Sequence, residues 1–129
     1  MKILGIDPGY ERLGLAVIEK ITGQENLLFS DCFKTSPKLD LSDRIFLIGQ
    51  EVRKIIEKYK PNILVIEKLF FTTNQKTAMG VSEVKGAITY IAKSSDLEIF
   101  ELTPLQVKKS SVGYGRAEKA QVAIIVQKI

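Results

Sequence analysis

Two carboxylates at the ends of apolar segments are the residues of this chain best suited to chemistry. Asp7 follows the apolar run at 2–6, and Glu67 closes the run NILVIE at 62–67. A charge at the end of a buried strand needs a partner, because desolvating an unpaired carboxylate is costly. In neighbouring strands the backbones lie about 4.8 Å apart, so both carboxylates could bind one hard cation such as Mg²⁺ or Mn²⁺. The alternative, two unrelated acids at solvated strand ends, stays open on spacing alone.

The composition narrows the chemistry that such a site could perform. The 129 residues include no histidine, which excludes imidazole acid–base catalysis, the Ser-His-Asp triad and the common zinc sites. A single cysteine, Cys32, excludes an internal disulfide and is typical of a reducing cytoplasm. Nineteen basic residues against fifteen acidic ones give a net charge of +4, which is compatible with a polyanionic partner. We expect one cytoplasmic domain spanning 1–129, with no membrane-spanning segment.

Apolar patterning predicts an alternating order of elements, β-β-β-α-β-α-β-α. The predicted strands are 2–7, 13–19, 27–34, 62–67 and 98–102. The predicted helices are 43–59 with Ser42 as its N-cap, 75–93, a short one at 103–109, and a last one from Arg116 onward. This order favours an α/β fold, a five-stranded mixed sheet flanked by helices.

The second predicted helix is apolar or small on more than one side. One side, sufficient to cover the sheet, consists of Thr77, Ala78, Val81, Val84, Ile88 and Ile91. Another side carries Met79, Gly86, Ala87 and Tyr90. A glycine inside a helix costs about 1 kcal/mol relative to alanine, so Gly80 and Gly86 indicate a close approach of another backbone.

Three segments, ILGIDPG, VIEKLFF and QVKKSSVGYGRAEKAQV, together resemble the RuvC-type Holliday-junction resolvases. The first segment alone is shared with other ribonuclease-H-like proteins, including the YqgF-type nucleases of ribosomal RNA processing. Asn74 and Ala78, with the segments around Lys108 and Lys119, make the resemblance more specific and extend it over essentially the whole chain. It implies a ribonuclease-H-like fold and metal-dependent cleavage of four-way DNA junctions in recombination and repair.

The resemblance also implies roles for individual residues. Asp7 and Glu67 match the family's first two metal-binding carboxylates, for Mg²⁺ with Mn²⁺ as the alternative cation. Lys108 and Lys119 match catalytic lysines near the cleaved strand, and Phe70 matches an aromatic residue that stacks on bases. Further phosphate contacts are expected from Lys68, Lys76, Lys85, Lys109 and Arg116. Without the motif, Lys108 and Lys119 are better interpreted as solvated surface charges, and the alternative for the aromatic pair is that Phe70 or Phe71 packs in the core.

The partners implied by the resemblance are branched DNA, a second copy of the chain and a junction-migrating motor complex. In the family, the second helix builds a twofold interface, and an isologous dimer presents two equivalent sites to a symmetric junction. The residues expected at that interface are Ala78, Met79, Gly86, Ala87 and Tyr90.

The resemblance is incomplete at the end of the chain. Family members continue into a helix that carries two more aspartates about one turn apart, and the sequence to Ile129 contains no such pair. We therefore expect the 129-residue chain by itself to cleave weakly or not at all, while it folds, dimerises and binds branched DNA. Two other interpretations remain open, a non-catalytic dimer that binds branched DNA and a YqgF-like RNA-processing nuclease.

Overall fold

A computed structural model describes residues 1–68 and 75–102. The elements in these ranges are the strands and helices β1 (Lys2–Asp7), β2 (Arg12–Ile21), β3 (Gln24–Lys34), α1 (Leu41–Tyr59), β4 (Ile63–Glu67), α2 (Gln75–Ser94) and β5 (Glu98–Leu102). The helices predicted at 103–109 and from Arg116 onward lie outside the described residues. Neither α1 nor α2, the two helices of the described ranges, is long and apolar enough to cross a membrane.

The five strands form one mixed sheet in the order β3-β2-β1-β4-β5. The first three strands are antiparallel neighbours, whereas β4 runs parallel to both β1 and β5. Strands β1 and β4 therefore occupy the middle of the sheet and are hydrogen-bonded on both sides. Their apolar runs match this position, because a central strand covered on both faces carries a continuous apolar sequence.

Helices α1 and α2 pack on the same face of the sheet. They contribute the buried residues Ile48, Val52, Ile55, Ile56, Val84, Ile88, Ile91 and Ala92 to one cluster with Leu4, Ile6, Leu64 and Ile66 of the central strands. Successive strand residues point to opposite faces, so Ile3, Ala16, Ile18, Ile63, Val65 and Leu102 form a second cluster on the other face. Among the described residues, no helix contributes to that second cluster.

The structure corrects two details of the predicted helices. Helix α1 begins at Leu41 with Asp40 as its N-cap, so Ser42 lies inside the helix. Asp40 has an extended backbone (φ −64°, ψ 155°), and its carbonyl accepts the N–H of Arg44 at 3.0 Å. In α2, Thr77 is exposed and does not face the sheet. The side of this helix that is buried contains Gly80, Val84, Ile88 and Ile91, and Thr77 lies outside it.

Candidate metal centre

Strands β1 and β4 bring Asp7 and Glu67 to the same edge of the sheet. Ile6 pairs in parallel register with Ile66, so the two acids follow at equivalent positions at the carboxyl ends of neighbouring strands. Both residues are half-buried. The adjacency of β1 and β4, on which the predicted carboxylate pair depends, is confirmed, and this edge is where ligands gather in parallel sheets.

The two carboxyl groups interact strongly enough to retain a proton near neutral pH. The pKa of Glu67 is raised from its ordinary value of 4.5 to about 7, first by burial and then by the charge of Asp7 and a hydrogen bond to Asp7. Like charges held close together cannot both ionise without a counter-charge. A divalent cation would supply that charge in place of the shared proton, so the pair suits a metal electrostatically.

The donor set determines which metals fit. Two carboxylates offer only oxygen atoms, which favours a hard cation such as Mg²⁺ or Mn²⁺ over zinc. Within residues 1–68 and 75–102, no group of three or more His, Cys, Asp or Glu side chains forms a metal site. Mg²⁺ commonly binds through one or two carboxylates and completes its shell with water and substrate phosphates. Asp7 and Glu67 meet that minimum.

The turn after Asp7 is tightly built. A Cβ at Gly9 would overlap the carbonyl oxygen of Arg12, so only glycine fits there. Thr35, which is buried, holds Tyr10 and Glu11, the two residues after Gly9. Its hydroxyl donates to the carbonyl of Tyr10, and its N–H donates to the carbonyl of Glu11 at 3.1 Å. The chain leaving Asp7 is therefore fixed by hydrogen bonds to the segment after β3.

The aromatic ring of Tyr10 links this turn to both helices. The guanidinium carbon of Arg44 lies 5.5 Å from the ring centroid, and a Cβ built on Gly80 would lie 2.8 Å from Cε1 of the ring. No pattern in the sequence singled out Tyr10 or Arg44. The close approach predicted at Gly80 is confirmed, but the approaching group is the ring of Tyr10 and not another backbone. Gly86, in contrast, has no atom within 4 Å of an added Cβ, so no close approach occurs there within the described chain.

The predicted basic residues occupy different surroundings. Lys68 is exposed directly after Glu67, and its backbone N–H donates to the carbonyl of Leu102 at 2.6 Å. Lys76 lines a groove of about 740 Å³ that also contains Tyr10, Arg44 and Glu83. The ammonium of Lys85 lies 3.2 Å from a carboxylate oxygen of Glu101 on β5, so its charge is already paired.

The predicted interface side of α2 carries large exposed apolar residues. Met79 and Tyr90 are 63% and 71% exposed, and Gly86 is exposed as well. Ala87 and Tyr90 line a groove of about 520 Å³ with Phe46 of α1, which is 63% exposed. Phe46 was not predicted as part of this surface. The signal that could have found it is a large apolar residue next to the buried stripe of α1.

Five predicted site residues lie outside the described ranges. They are Phe70, Lys108, Lys109, Arg116 and Lys119. Their roles stay predictions from the resemblance, and the centre described here consists of Asp7, Glu67 and the turn that follows Asp7.

The strand order, the parallel β1–β4 pair and the acids at its end define a ribonuclease-H-like α/β domain with the framework of a metal-dependent nuclease. A family model described as crossover junction endodeoxyribonuclease RuvC matches residues 3–129. The chain belongs to the RuvC family of crossover junction endodeoxyribonucleases, whose members depend on a divalent cation.

Individual relatives agree with this assignment over nearly the whole chain. The RuvC of Ruminiclostridium cellulolyticum is 43% identical over 129 residues, which cover 100% of this chain and 78% of the relative. The RuvC of Petrotoga mobilis is 43% identical over 122 residues, covering 95% of this chain and 75% of the relative. The structure of T. thermophilus RuvC in complex with Holliday junction substrate superposes with a TM-score of 0.81 at 27% identity, covering 98% of this chain and 78% of that one.

Proposed function

We propose that this chain uses Asp7 and Glu67 to bind a divalent cation and cleaves four-way DNA junctions at that site. The carboxylate pair at the edge of β1 and β4 is the observation that carries the proposal, because two acids at equivalent ends of neighbouring strands need a counter-charge that a cation would supply. The substrate class is supported by the similar T. thermophilus RuvC, whose structure is a complex with Holliday junction substrate.

Mg²⁺ is the cation we propose, with Mn²⁺ as the alternative. When bound, such an ion activates a water for in-line attack on a phosphodiester and stabilises the leaving oxygen. Asp7 and Glu67 would hold the ion, and the shared proton must leave when it binds. Exposed Lys68, adjacent to Glu67, would then favour the approach of a DNA phosphate to this edge. By resemblance, Lys108 and Lys119 would act on the cleaved strand and Phe70 on the bases.

We also propose that α2 mediates dimerisation, with a second copy of the chain as the partner. Exposed aromatic and thioether side chains on one helix face favour a protein contact, since monomers seldom expose such a patch. Met79 and Tyr90 lie on this face, and Phe46 of α1 extends it across the groove. A twofold dimer would present two metal centres to the two equivalent strands of a junction. A junction-migrating motor complex is the further partner that the resemblance implies.

The test separates binding from cleavage with matched variants. A labelled four-way junction and a linear duplex of the same sequence are mixed with the wild type, Asp7→Asn or Asp31→Asn. Asp31 is an exposed aspartate of β3, so its replacement makes the same chemical change away from the site. Binding is measured by gel shift in EDTA, and nicking is measured after Mg²⁺ or Mn²⁺ is added.

We expect the junction to be bound in preference to the duplex by all three proteins. Any paired nicking should disappear in Asp7→Asn and persist in Asp31→Asn. Nicking that survives in Asp7→Asn would contradict the assigned metal site. Binding of the junction with no nicking in either cation would favour the non-catalytic dimer. If structured ribosomal RNA displaces the labelled junction at a lower concentration than unlabelled junction does, the RNA-processing alternative is favoured.

A further inference from the structure

We propose that Tyr10 is a positioning residue that holds Asp7 in place for cation binding, and that Arg44 and Gly80 hold Tyr10. The inference rests on the proposed function, since it assumes that Asp7 and Glu67 bind the metal. It adds a group of residues, from the β1–β2 turn, α1 and α2, that does not contact the cation but determines where one of its ligands lies.

The ring of Tyr10 is confined between two helices. On one side lies the guanidinium of Arg44, 5.5 Å from the ring centroid. On the other side lies the backbone of α2 at Gly80, where an added Cβ would be 2.8 Å from Cε1 and 3.0 Å from Cδ1. A Cβ closer than about 3 Å forces a displacement, so Gly80 provides the space in which the ring lies. The ring therefore cannot move closer to α2.

Arg44 is itself fixed in an unusual environment. Its side chain is only 6% exposed, and its Nε donates to the carbonyl of Ser36 at 2.9 Å. Among the described residues, no carboxylate forms an ion pair with it. The face of Tyr10 therefore supplies part of the stabilisation that a buried cation needs, by a cation–π interaction. Tyr10 and Arg44 stabilise each other's position.

One short segment holds both partners. The hydroxyl of Thr35 donates a hydrogen bond to the carbonyl of Tyr10, and the carbonyl of the next residue, Ser36, accepts one from Nε of Arg44. Backbone and ring of Tyr10 are thus restrained together, the backbone by Thr35 and the ring by Arg44. This arrangement fixes the residue more completely than either contact alone.

The restraint is transmitted to Asp7 over a short and stiff connection. Only Pro8 and Gly9 separate Asp7 from Tyr10; the proline ring fixes its own φ, and Gly9 has no room for a Cβ. Asp7 is the last residue of β1, so the turn that Tyr10 holds determines where the Asp7 carboxylate lies relative to Glu67 at the end of β4. The distance between the two carboxylates, and with it the affinity for a cation, depends on Tyr10.

The test measures Mn²⁺ affinity of the purified 129-residue chain from the EPR signal of free Mn²⁺, together with the unfolding temperature in EDTA. The variants are Tyr10→Ala, Tyr10→Phe, Gly80→Ala and Ser82→Ala. Ser82→Ala is the control, because it introduces alanine at an exposed position of the same helix, two residues from Gly80. Asp7→Asn reports on the metal site itself.

We expect Tyr10→Ala and Gly80→Ala to weaken Mn²⁺ binding roughly tenfold, as changes around metal ligands commonly do. Tyr10→Phe should keep wild-type affinity, since it keeps the ring, and Ser82→Ala should stay within about twofold. A merely structural role predicts lower unfolding temperatures with unchanged affinity, and that result would overturn the inference. So would equal losses in Tyr10→Phe and Tyr10→Ala, because the hydroxyl rather than the ring would then be responsible.

The failure of the proposed function has a different signature. If Mn²⁺ binding by the wild type is absent or insensitive to Asp7→Asn, the metal site is wrong and the inference falls with it. If binding depends on Asp7 but not on Tyr10 or Gly80, the metal site stands and only the positioning role is overturned. Should Gly80→Ala not fold, Tyr10→Ala, which removes atoms and adds none, still decides the question.

Discussion

Replacing Glu67 with glutamine is expected to stabilise the metal-free protein at alkaline pH. In the native state the pKa of Glu67 is raised from its ordinary value of 4.5 to about 7, first by burial and then by the charge and hydrogen bond of Asp7. The native state therefore binds more protons than the unfolded state between these two values. Its free energy of unfolding must fall as the pH rises through this window, and the loss is complete above pH 7.

The magnitude follows from the difference between the two pKa values. A pKa difference of one corresponds to about 1.36 kcal/mol, which sets an upper bound of about 3.4 kcal/mol for this group. Because Glu67 is only half-buried, solvent screening reduces the bound, and we expect about 1–2 kcal/mol. Glutamine has nearly the same shape but no charge, so Glu67→Gln should not show this loss. Asp7→Asn should show a smaller loss than the wild type, since burial, the largest cause, remains.

The assay is urea unfolding in EDTA at pH 5, 6, 7 and 8. Glu98→Gln, a change at an exposed glutamate at the start of β5, serves as the matched control and should follow the wild type. The wild type should lose about 1–2 kcal/mol more than Glu67→Gln between pH 5 and pH 8. Parallel curves for these two proteins would refute the reasoning, because the raised pKa would then have no energetic consequence. Mn²⁺ added in excess of the EDTA should restore the free energy of unfolding of the wild type at pH 8 and leave that of Glu67→Gln unchanged.

Three further outcomes follow from the same structure. Gly9→Ala should cost at least about 2 kcal/mol in urea unfolding, because its Cβ has no room beside the carbonyl of Arg12; a loss below 0.5 kcal/mol would mean that the turn adapts freely. Tyr90→Asp should lower the dimer fraction in light scattering with little change in unfolding temperature, since the ring is 71% exposed; an unchanged mass would place the interface elsewhere. Lys68→Ala should reduce the salt dependence of junction binding by about one counterion; an unchanged slope would show that Lys68 contacts no phosphate.

The central strands and the carboxylate pair were predictable because their signal is local. The strands Lys2–Asp7 and Glu98–Leu102 match the predicted bounds, and each has a distinct end in the sequence. Strand β3 begins at Gln24, three residues before the predicted start, because polar residues at the exposed edge of a sheet carry no alternating pattern. The turn that precedes it is set by Gly23, whose φ is +80°.

The contacts of Tyr10 could not be predicted, because no local pattern encodes them. The ring meets Arg44 from α1 and Gly80 from α2, and these positions approach each other only after both helices pack on one face of the sheet. A buried arginine is also opposite to the usual expectation for a charged residue in an amphipathic helix. Gly80 gave a signal, since a helical glycine needs a reason, but the sequence could not name the group that fills the space.

The position of the acids in the sheet explains how the protein tolerates an unfavourable pair. Strands β1 and β4 are hydrogen-bonded on both sides, so mutual repulsion cannot separate their ends without breaking the middle of the sheet. Leu4, Ile6, Leu64 and Ile66, in the two strands that end in the acids, are fully or almost fully buried, and each such residue contributes about 1.5–3 kcal/mol. Even one of them offsets the 1–2 kcal/mol expected from the pair. In the proposed metal site a cation would therefore bind to ligands that the sheet already holds together, and we expect its affinity to depend on how rigidly the turn at Tyr10 fixes the Asp7 carboxylate.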